Sequence, residues 1–268
     1  MHNSQYKNNN INFNTVSLKN FEILEKLGSG GMGSVRLGSH VRTGKLYALK
    51  FVPMIYENNI KEGLILSPKL NHINLLKQYG HFYDEYKGIE YVIIVSEFIQ
   101  GVDMYDIYFD SYIINRTRDP TDYIIQIATG LKYLHSMGCI HRDIKLENII
   151  ITLDNVVKII DYDFLIDGYD PHGSCCGTLN YISPEILNNE FYDESTDVWS
   201  LGISIYCILT CKYPFDGKES VVYKKIKTLH PNMTDIPSEW LVIVSGLLQK
   251  DPKKRMNLNQ LLNLINSM

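Results

Sequence analysis

The 268-residue chain is long enough to bury a substantial core, as one large domain or as two lobes. Its formal net charge of −4 gives no electrostatic reason to expect nucleic-acid or membrane partners. The five cysteines form neither a disulfide framework nor a zinc spacing, which points to a reduced intracellular protein, cytoplasmic or nuclear. The N-terminus lacks the apolar core of a signal peptide, and the longest apolar run, residues 199–209, is too short to span a bilayer.

Residues 1–17 are asparagine-rich with few apolar anchors, which predicts a disordered tail. From Phe21 the pattern turns periodic: Phe21, Ile23 and Leu27 lead into Gly28-Ser29-Gly30-Gly31-Met32-Gly33-Ser34-Val35, after which Val35 and Leu37 alternate with polar residues. A second strand directly after the glycines predicts a glycine-rich hairpin, whereas the dinucleotide-binding fingerprint of similar letters opens a helix. Such glycines let backbone amides close over phosphates, although a plain flexible hairpin has the same letters. Thr43-Gly44 reads as the next turn, and residues 46–52 as a strand carrying Lys50 among apolar neighbours. That lysine is either a snorkelling edge residue or an ammonium for phosphates. Residues 91–95 form another strand-like run, and Ile124, Ile127, Leu131 and Leu134 recur at the spacing of a long helix over residues 123–135.

The densest chemistry lies in residues 141–163. Two short apolar runs, 149–151 and 156–160, flank a turn at Asp154-Asn155 and predict a hairpin with a polar cluster just outside each run. That arrangement can bring Asp143, Lys145, Asn148 and Asp161 to one cleft mouth. A carboxylate, an ammonium, an amide oxygen and a second carboxylate are the parts needed to orient a hydroxyl, neutralise a phosphoryl group and hold Mg²⁺. A lone Asp-x-Lys would instead read as a solvated turn. Residues 168–172 are turn-like, and Leu258, Leu261, Leu262 and Ile265 close the chain as an amphipathic helix.

A glycine-rich hairpin, a strand lysine, His141-Arg142-Asp143-x-Lys145-x-x-Asn148 and Asp161-Tyr162, in this order, are the signature set of the eukaryotic-type protein kinases, and the chain from residue 21 onward resembles that family. The resemblance implies an α+β, bilobal fold over residues 18–268. Its small lobe, about 18–98, would be mainly antiparallel sheet with one main helix, and its larger lobe, about 99–268, mainly helical. Lys145 is similar to the serine/threonine branch, and Cys176-Gly177-Thr178 with Asn180-Tyr181-Ile182 resembles the calcium/calmodulin-dependent or polo-like groups. The implied activity is transfer of the γ-phosphoryl group of ATP, bound between the lobes with Mg²⁺ or Mn²⁺, to serine or threonine hydroxyls of protein substrates.

The same resemblance assigns residues. Leu27, Gly28, Gly30, Gly33, Val35, Ala48, Glu97, Ile99, Asp103 and Ile150 would contact ATP, with Lys50 on its phosphates and Ser96 as a small gatekeeper. Asp143 would accept the substrate hydroxyl proton or orient that hydroxyl, Lys145 would touch the transferring phosphate, and Asn148 and Asp161 would hold the metal, leaving Glu147 near basic substrate residues. His141 and Tyr162 would stack in a structural spine, Thr178 would tie the base and Lys145 to the substrate platform, Asp197 would brace the catalytic loop, and Glu185 would pair with Arg255. Arg142 would receive a phosphate placed on Ser174 by an activating kinase.

Two departures stand out. The helix glutamate that should pair with Lys50 is assigned to Glu62, because Leu66 then follows one turn later on the same face, with Glu57 as fallback. Counting back from Leu70 and His72 instead puts Gly63 at that place. Asp161-Tyr162-Asp163 stands where the family has Asp-Phe-Gly, so a buried Tyr162 hydroxyl needs a partner, and Asp163 adds a charge beside the metal carboxylate. Both departures suit the alternative reading, a pseudokinase acting as a binding or scaffold module.

Overall fold

The computed structural model describes residues 16–109, 119–168 and 176–268. Most of the expected tail, residues 1–15, and the expected phosphorylation site Ser174 lie outside the described residues. The chain divides into two compact units, one of residues up to 58 together with 78–98, the other of residues 59–77 and 99–268.

The first unit is a five-stranded antiparallel sheet in the order β1-β2-β3-β5-β4. Its strands are β1 (Phe21–Gly30), β2 (Gly33–His40), β3 (Leu46–Pro53), β4 (Gln78–Tyr86) and β5 (Ile89–Glu97). Alternation along the strands sends Tyr47, Leu49 and Phe51 to one face, where they pack with Phe21, Phe82, Ile93 and Val95. The predicted glycine hairpin is the β1–β2 turn, with Gly30 opposite Gly33. The turn at Thr43-Gly44 closes β2 onto β3, with Gly44 in the left-handed region at φ +67°.

The second unit contains most of α1 (Glu57–Leu66) and is otherwise helical, with α2 (Met104–Phe109), α3 (Thr121–Ser136), α4 (Pro184–Leu187), α5 (Ser195–Thr210), α6 (Glu219–Thr228), α7 (Leu241–Leu247) and α8 (Leu258–Ile265). Ile124, Ile127, Leu131 and Leu134 of α3 are completely buried, as their spacing predicts. Helix α5 is buried on nearly every side, with Trp199 stacked on Phe215 at its centre. The apolar run at 199–209 is therefore a core helix, and no described helix is long and apolar enough to cross a membrane. Small sheets complete the unit: β6 (Gly101–Asp103), β8 (Ile149–Thr152) and β9 (Val157–Ile159) in one, β7 (Cys139–Ile140) and β10 (Ile166–Asp167) in the other.

Residues 59–77 cluster with the second unit through their own contacts. Leu70 and Leu75 are buried in its core, and the Leu76 N–H donates to the Ile159 carbonyl at 2.8 Å. Helices α2, α4 and α7 go unread in the sequence because each offers too few turns for a periodic signal, and α6 goes unread because it buries only Val222 and Ile226.

Glu185 and Arg255 meet as a buried bidentate pair at 2.6 and 2.9 Å, and the guanidinium also donates to the carbonyls of Ser195 and Gln249. Every acceptor around it is satisfied, so removing one partner strands a buried charge. Arg255→Ala should cost about 3–5 kcal/mol in chemical denaturation. A loss below about 1 kcal/mol, the range of exposed pairs, would show the site to be hydrated.

Candidate active site

In the first unit, residues opposite one another across strands share a face. The registers Val35–Lys50–Ile94 and Leu37–Ala48–Ser96 therefore place Val35, Ala48, Lys50 and Ser96 together, with Gly28 opposite Val35 at the edge. The Ser96 hydroxyl donates to the Ala48 carbonyl at 3.3 Å, which ties it back to its own sheet. The glycines differ in what requires them. A Cβ at Gly33 would collide with the Phe51 carbonyl, whereas one at Gly28 or Gly30 would meet no protein atom within 4 Å. Packing demands the first; the other two leave their backbone uncovered. Leu27 is exposed on β1, and Glu97 ends β5 just before Ile99.

In the second unit the catalytic-loop candidates form a closed network. Asp143 is buried, and its Oδ1 accepts from the Thr178 hydroxyl at 3.0 Å while Oδ2 accepts from Asn148 Nδ2 at 3.0 Å and pairs with Lys145 Nζ at 2.8 Å. Lys145 also donates to the Thr178 oxygen at 2.8 Å. Asn148 Nδ2 further donates to the Asp143 carbonyl at 2.9 Å, so both amide hydrogens are spent on Asp143 and the amide oxygen remains an acceptor. Thr178 is brought to this network by Gly177, whose φ of +96° and close approach to the Arg142 carbonyl leave no room for a side chain.

His141 is fully buried and held within the loop. Its Nδ1 accepts from the Asp143 N–H at 3.3 Å, so Nε2 carries the proton and donates to the Ile160 carbonyl at 3.2 Å. The ring meets Tyr162 edge-on at 5.8 Å, and the Tyr162 hydroxyl donates to the Leu76 carbonyl at 2.9 Å, which supplies the partner its burial demands. Asp197 accepts from the backbone N–H groups of His141 at 2.9 Å and Arg142 at 2.8 Å, and from His135 Nε2 at 2.9 Å. Burial alone would raise its carboxyl pKa. The His135 hydrogen bond, the fields of His135 and His141 and the His141 N–H outweigh that and hold it below 3.8.

The oxygens of Asn148 and Asp161 are hard donors of the type Mg²⁺ accepts, and the Ile160 N–H bonded to the Asn148 carbonyl at 2.9 Å delivers Asp161 beside Asn148. No group of three or more histidine, cysteine or acidic side chains among the described residues could hold a metal. This short donor set fits an ion that relies on substrate phosphates for the rest of its shell. Asp161 sits at φ +67°, a left-handed conformation that aspartate tolerates, and its Oδ1 accepts from the Asp163 N–H at 3.3 Å.

Glu62 does not take the inward helix position expected of it. It is exposed, and its carboxylate accepts from the Asp167 N–H at 3.3 Å. The buried face belongs to Gly63, where a Cβ would collide with the Tyr162 carbonyl, and this is the position to which the count from Leu70 and His72 leads. Glu57 instead accepts from the Tyr83 hydroxyl at 2.7 Å. Arg142 donates from Nε to the Phe164 carbonyl at 2.6 Å and from Nη1 to the Tyr192 hydroxyl at 3.0 Å. Tyr192 is a partner that sequence reading missed, because nothing in its local pattern marks it. Asp103 and Ile150 face each other across β6 and β8, and burial raises the Asp103 carboxyl pKa. Burial also raises that of Glu147, whose Oε2 is enclosed with no hydrogen-bond partner.

Residues 21–264 match the model of the protein kinase domain. The chain is 34% identical over 262 residues to an Aurora kinase of Saccharomyces cerevisiae, covering 92% of this chain and 68% of that protein. It is likewise 34% identical to an Aurora kinase of Debaryomyces hansenii, spanning 62% of that relative's length. An Aurora kinase of Encephalitozoon cuniculi is 32% identical, with 92% of this chain and 93% of that one aligned. The chain belongs to the protein kinase family, in its serine/threonine branch. These relatives lend no support to a calcium/calmodulin-dependent or polo-like grouping.

Thr178→Val should lower kcat by about 100-fold through misplacement of Asp143 and Lys145, with thermal stability retained, while Thr178→Ser keeps most activity. Equal kcat for the two variants would remove Thr178 from the network. The Asp197 contribution to stability is fully present above pH 3.8 and is lost as pH falls through its lower folded value. Asp197→Asn should therefore destabilise the chain at neutral pH and flatten the acid limb of its stability curve; an unchanged limb would contradict this.

Proposed function

We propose that the chain transfers the γ-phosphoryl group of ATP, with Mg²⁺, to serine or threonine hydroxyls of protein substrates. The observation that carries this reading is the hydrogen-bond accounting around Asp143. An ionised carboxylate offers about four lone-pair sites, and Thr178, Asn148 and Lys145 fill three of them. The remaining site suits an incoming hydroxyl. Lys145 likewise spends two of its three donors on Asp143 and Thr178 and keeps one for a phosphate oxygen.

In the step these groups support, the substrate hydroxyl oxygen forms a bond to the γ-phosphorus while the bond from that phosphorus to the bridging oxygen breaks. ADP leaves with the electron pair, and the hydroxyl proton passes to Asp143. Bound at Asn148 and Asp161, Mg²⁺ supplies neutralisation of phosphate charge. In the first unit, Lys50 is assigned to the nucleotide phosphates, Ala48 and Val35 to the adenine, and Gly28 and Gly30 to backbone contacts. The enclosed, unpartnered Glu147 oxygen supports a substrate with a basic side chain near the phosphorylated residue. Free thiols at Cys139, Cys176, Cys207 and Cys211 suit work in a reducing compartment.

One observation favours a second reading. Gly63 leaves α1 without an inward glutamate, which suits a nucleotide-binding partner module that does not turn over. Phosphate transfer to serine/threonine peptides, with and without basic residues, separates the two. The natural chain should transfer, and Asp143→Asn should lose at least about 100-fold in kcat. Asp161→Asn should lose Mg²⁺-dependent turnover, and Glu147→Gln should erase any preference for basic peptides. A folded natural chain that binds Mg-ATP without transfer would establish the second reading.

A further inference from the structure

The second unit holds a cavity of about 600 Å³, a volume within the range of small-molecule sites. Its walls come from the end of α3, from β7, from the segment that leads into α5 and from the turn at Pro252. Among the described residues that line it, none is assigned to nucleotide, metal or substrate. Cys139, Ile140, Phe191 and Pro252 give it apolar wall, and Phe191 stands 72% exposed, so its ring is available to a guest.

The charged groups on the wall are uneven. Asp193 and Glu194 are adjacent in the chain and both exposed, and Asp193 spends Oδ1 on the Ser195 N–H at 2.9 Å, which leaves its second oxygen to accept from a ligand. Lys253, on another element, is the one lysine or arginine among the described lining residues. A cation is therefore favoured at the Asp193-Glu194 edge, and an apolar body beside Phe191.

Two residues of the same wall hold the catalytic loop. His135 donates to Asp197, which takes up the N–H groups of His141 and Arg142, and the Tyr192 hydroxyl accepts from Arg142 Nη1 at 3.0 Å. Tyr192 is only 4% exposed, so it is packed in place between the cavity and Arg142. A guest that touches these side chains differently in two arrangements of the loop shifts the balance between them.

We infer that this cavity is a regulatory site for a small aromatic cation, with the ring against Phe191 and Cys139 and an ammonium group at Asp193 and Glu194. Its occupancy changes turnover through His135 and Tyr192. The effect on turnover rests on the phosphotransfer reading above, whereas binding does not.

The probe is phenethylamine, titrated against the full chain by ligand-observed NMR beside phenethyl alcohol as its neutral counterpart and phenylpropionate as its anionic one. Phenethylamine should bind about 10-fold tighter than the alcohol, and phenylpropionate weakest. Phe191→Ala and Glu194→Gln, both at exposed positions, should each weaken phenethylamine by about 5-fold with the melting temperature retained. At saturating Mg-ATP, which keeps the probe out of the nucleotide site, kcat for peptide phosphorylation should change saturably with its midpoint at the measured Kd. Phe191→Ala should move that midpoint as it moves the Kd. Tyr192→Phe, which keeps the ring and removes the acceptor for Arg142, should bind the probe as before yet blunt the response of kcat. Absent binding, binding indifferent to both Phe191→Ala and Glu194→Gln, or a preference for the anion would overturn the inference. Binding at these residues with kcat unmoved in an active chain would overturn it too. A natural chain that binds phenethylamine here but transfers no phosphate would remove the phosphotransfer reading while upholding the ligand site.

Discussion

The catalytic loop depends on one buried carboxylate. Asp197 projects from α5 and takes up the N–H groups of His141 and Arg142. Arg142 sits at φ +67°, a conformation that costs an ordinary residue energy and persists only where its surroundings over-determine it. The two hydrogen bonds to Asp197 do that, and His135 completes the carboxylate's shell. Once Arg142 turns in this way, Asp143 enters the pocket bounded by Thr178, Lys145 and Asn148, and the His141 ring is directed to Ile160 and Tyr162. The rigidity of α5 matters because it is a core helix: its position is set by apolar packing around Trp199, independent of any ligand.

Close approaches of backbone to backbone supply the second layer of constraint, and each occurs at a glycine. Gly177 lets the chain pass the Arg142 carbonyl and present Thr178, and Gly63 lets α1 rest on the Tyr162 carbonyl. At Gly177 the absent Cβ lets Thr178 reach Asp143 and Lys145. The loop network thereby acquires a fixed geometry from elements that carry no reactive groups.

Much of this was legible in the sequence because the loop residues are close together and chemically distinctive. The hairpin around Asp154-Asn155, the buried face of α3 and the cluster of Asp143, Lys145 and Asn148 all follow from short-range patterns. The register of α1 was not legible. A count of i to i+4 favours Glu62 over Gly63, but the choice is made by the Tyr162 carbonyl, roughly a hundred residues away in sequence, which local periodicity cannot sense. Tyr192 as a partner of Arg142 was invisible for the same reason, and the allocation of residues 59–77 to the larger unit depends on Leu70, Leu75 and Leu76 finding long-range partners.

The two departures from the family pattern look independent along the chain, one a lost glutamate and the other a gained aspartate. In the fold they are adjacent, since the residue that displaces any side chain at 63 is the neighbour of 163. A glutamate at 63 could not enter without moving α1. The constraint is therefore steric: the backbone of the 161–163 segment fixes what α1 can carry at 63. The segment is held in its turn by the Tyr162 hydroxyl on the Leu76 carbonyl and by the Tyr162 ring edge-on to His141, so the loop and α1 are fixed by the same side chain.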